Sequence, residues 1–127
     1  MIVLDASVLV AHYWSADDHH DAVTRLLDER AGSSLLVHPM NLAEVLVGAV
    51  RSGRAGEMLA SLERLGVAQA GQPVSEPLRL ATLRATSGLR LPDCCALDTA
   101  INHRADLATF DSTLAVAARA AGVRVLP

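Results

Sequence analysis

Short apolar runs recurring between longer helical stretches constrain this chain more than any other feature. "IVL" (residues 2–4), "SLLV" (34–37), "LATF" (107–110) and "VRVL" (123–126) are too short for helices and apolar enough for buried strands. Between them, "SVLVAHYW" reads as a helix, and a second begins near Asp18, with Val23, Leu26, Leu27 and Arg30 at helical spacing. Pro39 closes the strand at 34–37 and a helix opens at Asn41; "EMLASLERL" (57–65) is a further helix, and "GVAQAG" (66–71) holds a weak strand. Ser75 is the expected N-cap of "EPLRLATLRATS", with Pro77 tolerated in the first turn and Gly88 at its end. Pro92 opens "DCCALDTAINHR", and "STLAVAARAA" precedes the last strand. Strands separated by helices pair in parallel through right-handed crossovers. The expected fold class is therefore α/β, a three-layer α/β/α sandwich with a central, mainly parallel sheet. At 127 residues the chain suits a single domain, 1–127.

Composition narrows the possibilities further. Half of the residues are hydrophobic (51%) but only 2% are aromatic, so the core must be built from Ala, Val and Leu, and disorder is unexpected. All basic residues are Arg, and the absence of Lys excludes a P-loop nucleotide enzyme, whose phosphates need that side chain. A formal net charge of −3 is not the basic surplus usual in nucleic-acid binders. Cys94 and Cys95 are adjacent and poorly placed for a disulfide, which fits a reduced, cytoplasmic protein. The start "MIVLDASVLV" lacks the basic region and cleavage site of a signal peptide, and no segment is long and apolar enough for a membrane span.

In a parallel α/β sheet, ligands bind beyond the carboxyl ends of the strands. Asp5 follows the strand at 2–4, and Asp111 follows the strand at 107–110. Glu44 and Asp93 are expected in the first turns of helices that begin on that same edge. Each acid has an ordinary reading: Asp5 and Asp111 as N-caps, Asn41 with Glu44 as a capping box, Asp93 as a complement to a helix dipole. Together they suggest something else, because ionised carboxylates that converge need a positive charge among them. With no Cys or His at ligand spacing, an all-oxygen set favours Mg²⁺ or Mn²⁺ over zinc. Such an ion suits phosphodiester hydrolysis. Two divalent ions would also turn the formal charge of −3 slightly positive, which removes the charge objection to an RNA substrate. Arg side chains around the edge could then hold an RNA backbone.

"VLDAS", "NLAEVL", "LPDCCALDTAINHRADLATFD" and the closing "GVRVLP" resemble PIN-domain proteins, in particular VapC-type toxins of bacterial toxin–antitoxin pairs, over essentially the whole chain. The resemblance implies a Mg²⁺- or Mn²⁺-dependent endoribonuclease that cleaves structured RNA such as tRNA or rRNA and is inhibited by a cognate VapB-type antitoxin. It implies a homodimer and no membrane partner. Asp5, Glu44, Asp93 and Asp111 match the family's acidic metal positions, and Ser7 and Thr109 match small hydroxyl positions beside the metal. Asp98 departs from the pattern, where relatives often carry an apolar residue. Five helical steps put it about 140° from Asp93, so it is expected on another face, as a solvated position.

Other signals are weaker. His19 and His20 in "DDHHD" (17–21) are adjacent and cannot share a helical face, which argues against a zinc site. Cys94 and Cys95 read as small buried thiols. His12, Tyr13 and Trp14 suit either base stacking or packing in the core or a dimer. Two other functions compete with the nuclease. A phosphotransfer domain also puts Asp at strand ends, but normally needs a Lys. A non-catalytic α/β binding module would use the acids only as caps and show no affinity for divalent ions.

Overall fold

The computed structural model describes residues 1–127. Five strands, β1 (Ile2–Leu4), β2 (Leu35–Val37), β3 (Val67–Gln69), β4 (Asp106–Ala108) and β5 (Val125–Leu126), form one sheet. Every pairing is parallel, in the order β3-β2-β1-β4-β5. Seven helices connect them: α1 (Ala6–Tyr13), α2 (His20–Glu29), α3 (Pro39–Arg51), α4 (Ala55–Arg64), α5 (Glu76–Ser87), α6 (Leu91–His103) and α7 (Ser112–Ala120).

Alternation along the strands builds the layers. Ile2, Leu4, Leu35, Val37 and Ala108 pack with apolar side chains of α1 to α4 in one cluster. Val3, Leu36 and Leu107, the intervening residues, pack on the other face with α6 and α7. A period of two divides successive side chains between faces, so β1, β2 and β4 each feed two cores, whereas β3 at the sheet edge contributes only Val67. This is the expected three-layer α/β/α sandwich. The core is correspondingly small in its residues: Ala96, Ala100 and Ala118 are fully buried, which brings α6 and α7 close to the sheet without large side chains.

The strand order reverses at β1. From β1 the chain moves outward through β2 to β3, then returns to place β4 against the other side of β1. The helices that follow β1 and β4 consequently leave toward opposite faces, α1 into the first cluster and α7 into the second. A crevice between two such helix starts is where open parallel sheets place their ligands.

Several boundaries differ from the sequence expectation. Pro39 does not separate strand from helix but lies in the first turn of α3, where its missing N–H costs nothing. The α3 N-cap is His38, whose Nδ1 accepts from the Met40 N–H at 3.0 Å. Its Nε2 meets Glu76 Oε1 of α5 at 2.8 Å, so a tertiary contact fixes the imidazole that caps the helix. The weak strand expected at 66–71 forms as β3, and Gly88, at φ +73°, ends α5 in the left-handed conformation that glycine adopts without a Cβ clash. Ser75 occupies the N-cap position of α5, but its side chain makes no capping bond and accepts from Arg79 instead. No helix is long and apolar enough to cross a membrane.

Candidate functional site

Asp5 stands at the carboxyl end of β1, with its N–H donating to the Ala108 carbonyl of β4 at 3.0 Å. It occupies the N-cap position of α1 without capping it. Its Oδ2 instead accepts from Ser7 Oγ at 2.8 Å and Thr109 Oγ1 at 2.9 Å. The same hydroxyls accept backbone N–H groups of the loop after β4, Ser7 Oγ from Phe110 at 3.0 Å and Thr109 Oγ1 from Asp111 at 3.0 Å. This network fixes the carboxylate and ties the two loops at the reversal point, while Oδ1 makes no hydrogen bond to the protein. Asp111 does cap its helix, through Oδ1 and the Leu114 N–H at 2.9 Å, which leaves Oδ2 free. The capping reading therefore fails for Asp5 and holds for one oxygen of Asp111.

Asp93 lies in the first turn of α6 and is buried. Arg90, at the helix N-cap, brings its Nε to 3.6 Å from Asp93 Oδ2. Glu44 is in the second turn of α3, not the first, because the helix starts earlier than the sequence suggests. For the same reason Asn41 and Glu44 do not form a capping box. Asn41 is fully buried and donates through Nδ2 to the Pro92 carbonyl at 2.9 Å, joining α3 to the start of α6.

The four acids sense one another. Burial raises the pKa of Asp93, Arg90 partly offsets this, and Asp111 and Asp5 push it further up. Glu44 is exposed as a residue, yet partial burial of its carboxyl group raises its pKa; the Asn41 amide opposes the rise, and Asp5 and Asp93 add to it. Carboxylates from β1, α3, α6 and the start of α7 thus share one negative field with a single, mostly exposed Arg beside it.

This donor set suits a hard divalent cation, being anionic, oxygen-only and supplied with carboxylate oxygens that no protein group engages. No three carboxylates, imidazoles or thiols are grouped closely enough to enclose an ion by themselves. That arrangement is compatible with Mg²⁺, which usually keeps several waters and takes one or two carboxylates together with substrate phosphates.

Other expectations fare differently. Asp98 is on another face of α6, as the helical arithmetic requires, but it is buried, not solvated, at 5% exposure. Arg79 of α5 covers it, with Nε to Oδ1 at 2.9 Å and Nη2 to Oδ2 at 3.1 Å. Cys94 and Cys95 are free and buried. His20 Nδ1 contacts the Ala11 carbonyl at 2.8 Å, whereas His19 stacks on Phe110, so the two do not share a ligand site. Tyr13 packs α1 onto α4, its hydroxyl donating to Ser61 Oγ at 3.0 Å. Trp14 is half exposed and lies against Gly48, where a Cβ would come within 3.4 Å of the indole. It borders two adjoining cavities. The larger, about 650 Å³, lies away from the acids between α1, α3 and α4; the smaller, about 500 Å³, includes Glu44.

The sequence reading takes Asn41 only as a capping-box partner of Glu44, and does not single out Arg90. Arg90 sits three residues before Asp93, the separation at which helical side chains meet. That spacing is the available signal.

The PIN domain family profile matches residues 2–120, and the chain belongs to the PIN-domain family. Solved structures share the fold. VapC20 of Mycobacterium tuberculosis, a sarcin-ricin loop cleaving toxin, is 17% identical over 100% of both chains with a TM-score of 0.77. A toxin-antitoxin complex from Klebsiella pneumoniae is 22% identical over 88% of both chains, TM-score 0.74. FitAcB from Neisseria gonorrhoeae is 21% identical over 100% of this chain and 97% of the other, TM-score 0.71. No curated protein sequence matches the chain.

Proposed function

We propose that this protein is a Mg²⁺- or Mn²⁺-dependent endoribonuclease, the toxin of a toxin–antitoxin pair, acting in the cytoplasm on structured RNA such as tRNA or rRNA. The observation that carries this reading is the behaviour of Asp5: a buried carboxylate at the sheet's reversal point, held by two hydroxyls, that does not cap the helix it begins. Membership of the PIN family supports nuclease chemistry. The fold likeness to a sarcin-ricin loop cleaving toxin and to a toxin–antitoxin complex supports the substrate class and an antitoxin partner.

Asp5, Glu44, Asp93 and Asp111 would hold the ion, with Ser7 and Thr109 fixing the Asp5 carboxylate. When bound, the ion would polarise the scissile phosphate and lower the pKa of a water. The chain's own part is positioning. Ser7 and Thr109 hold Asp5 Oδ2 and leave Oδ1 without a protein partner, Asn41 joins α3 to the start of α6, and Arg90, 73% exposed in its side chain, can meet a phosphate oxygen while remaining near Asp93. An antitoxin would inhibit by laying a segment across this edge with a basic side chain among the acids. Homodimerisation and a single-domain organisation complete the reading. A non-catalytic binding module is favoured by two observations, the cap made by Asp111 and the absence of three carboxylates, imidazoles or thiols grouped closely enough to enclose an ion.

Purified protein incubated with total cellular RNA and Mg²⁺, Mn²⁺ or EDTA, beside Asp93→Asn, tests the proposal. Metal-dependent cutting that disappears in the variant supports the nuclease. Equal background from both proteins, with no ion binding by calorimetry, would leave the binding module.

A further inference from the structure

The "DDHHD" segment has no part in the proposed chemistry, yet it delivers a side chain to the same edge. His19 and Phe110 are stacked, with ring centroids 4.2 Å apart and planes within 5°. Phe110 lies between Thr109 and Asp111, and its N–H donates to Ser7 Oγ, which in turn donates to Asp5 Oδ2. His19 is held from its own side, its backbone N–H donating to Asp17 Oδ1 at 2.8 Å. Phe110 is partly buried against the core, and His19 is exposed as a residue.

We infer that the His19–Phe110 pair is a stacking platform for a nucleobase of the RNA, next to the phosphate that is cut. A planar ring stacked on one side and exposed at the residue level offers its other face to a third ring. Bases have such faces whatever their sequence, and aromatic side chains, histidine included, bind splayed RNA bases in this way. With three aromatic residues of the Phe, Trp and Tyr type in the whole chain, a parallel ring pair whose Phe110 backbone N–H is hydrogen-bonded through Ser7 to Asp5 is a specific arrangement. Its function follows from that wiring. A base seated on His19 would stand at a fixed distance from the carboxylates, so that stacking sets which phosphate reaches them. Loop contacts alone would not require a second ring to lie flat on Phe110.

This inference rests on the nuclease reading, and the experiment separates the two. Binding of short single-stranded RNAs carrying 2-aminopurine is followed by fluorescence with the full chain in the Asp93→Asn background, and cleavage of total RNA is followed in the otherwise wild-type chain. His19→Ala is expected to weaken RNA binding about tenfold or more, the usual effect of removing one aromatic stack, to abolish the 2-aminopurine quenching and to raise KM more than it lowers kcat. His19→Phe, which keeps the stack, is expected to retain both binding and quenching. His19 is exposed, and circular dichroism of each variant confirms folding. If wild type cleaves RNA and His19→Ala binds and cleaves it with unchanged KM, the platform is overturned while the nuclease stands. If His19→Ala instead loses only association with an antitoxin segment, the platform serves a polypeptide and the RNA assignment is overturned. If wild type neither binds nor cuts RNA, both readings fall.

Discussion

Asn41 and Pro92 are joined by a hydrogen bond of 2.9 Å that spans 51 residues of sequence and links the helices carrying Glu44 and Asp93. The bond is of ordinary length, part-buried and made from a fully buried Asn41 to the start of α6, so it helps fix how far apart those two helices stand.

Asn41→Ala should therefore affect activity out of proportion to its size. Removing the donor leaves a cavity and an unmatched carbonyl, a cost of about 1 to 3 kcal/mol. Cleavage should fall by roughly 10- to 100-fold, the range for groups that support metal ligands. Single-turnover kinetics beside thermal melts would check this; an activity loss no greater than the melting shift explains would refute the positioning role.

Asp93→Asn should separate stability from function. Burial and the charges of Asp111 and Asp5 raise the Asp93 pKa, so the folded state holds this proton more tightly than the unfolded chain does. The sign follows: below the ordinary Asp range the group favours folding, and that contribution is lost as pH rises through the raised value. At neutral pH without divalent ions, the Asn variant should melt at the same temperature as wild type or slightly higher. Mn²⁺ should raise the melting temperature of wild type and shift the variant less, while cleavage falls about a hundredfold or more. Melting curves with and without Mn²⁺ decide it.

Thr109→Val keeps shape and removes one hydroxyl. Asp5 Oδ2 would lose one of its two donors and the Asp111 N–H its acceptor. The expected destabilisation is about 1 to 3 kcal/mol by denaturant titration, with activity reduced about 10-fold or more. Ser7→Ala, at a less buried position, should show the same pattern more weakly.

The acids were legible in the sequence because a strand end is a local feature and the fold sends all strand ends to one edge. What surrounds them was not legible. The helix carrying Glu44 begins at Pro39 because His38 caps it, and histidine is not a preferred cap; Glu76, far along the chain, fixes it there. The helical arithmetic for Asp98 gave the right face and the wrong environment, since α6 alone does not reveal that α5 lays Arg79 over it. Asp111 shows that a cap and a candidate ligand need not be alternatives, as a carboxylate has two oxygens to assign.

The Arg79–Asp98 pair should respond asymmetrically to truncation. Arg79 is partly exposed and regains water when Asp98 is removed, whereas Asp98 is buried and would be left as an unmatched charge. Breaking a buried pair costs most when the stranded partner cannot reach solvent. Arg79→Ala should thus lower the denaturation midpoint more than Asp98→Ala, and cleavage by the surviving folded fraction should be the same in both. Equal midpoints would show that the carboxylate is better solvated than its burial implies.

The two cysteines should be silent in the native protein. Burial pushes the Cys95 thiol up to about 11, with Glu76 and the neighbouring Cys94 adding to the rise, and burial also raises Cys94. Because the thiolate is the reactive form, a disulfide reagent at pH 8 should label neither until the chain is denatured, when both react. Stability carries the same sign. The unfolded thiol ionises near its ordinary value of 9.0 and the folded one near 11, so the contribution of Cys95 to stability should be level below about pH 9 and decline as pH rises toward 11. At about 1.4 kcal/mol per unit, the loss from Cys95 is on the order of 2 to 3 kcal/mol. Cys95→Ala should flatten that decline in denaturation curves recorded across the range, at the cost of a small cavity beneath α6; an unchanged alkaline slope would mean that other groups govern it.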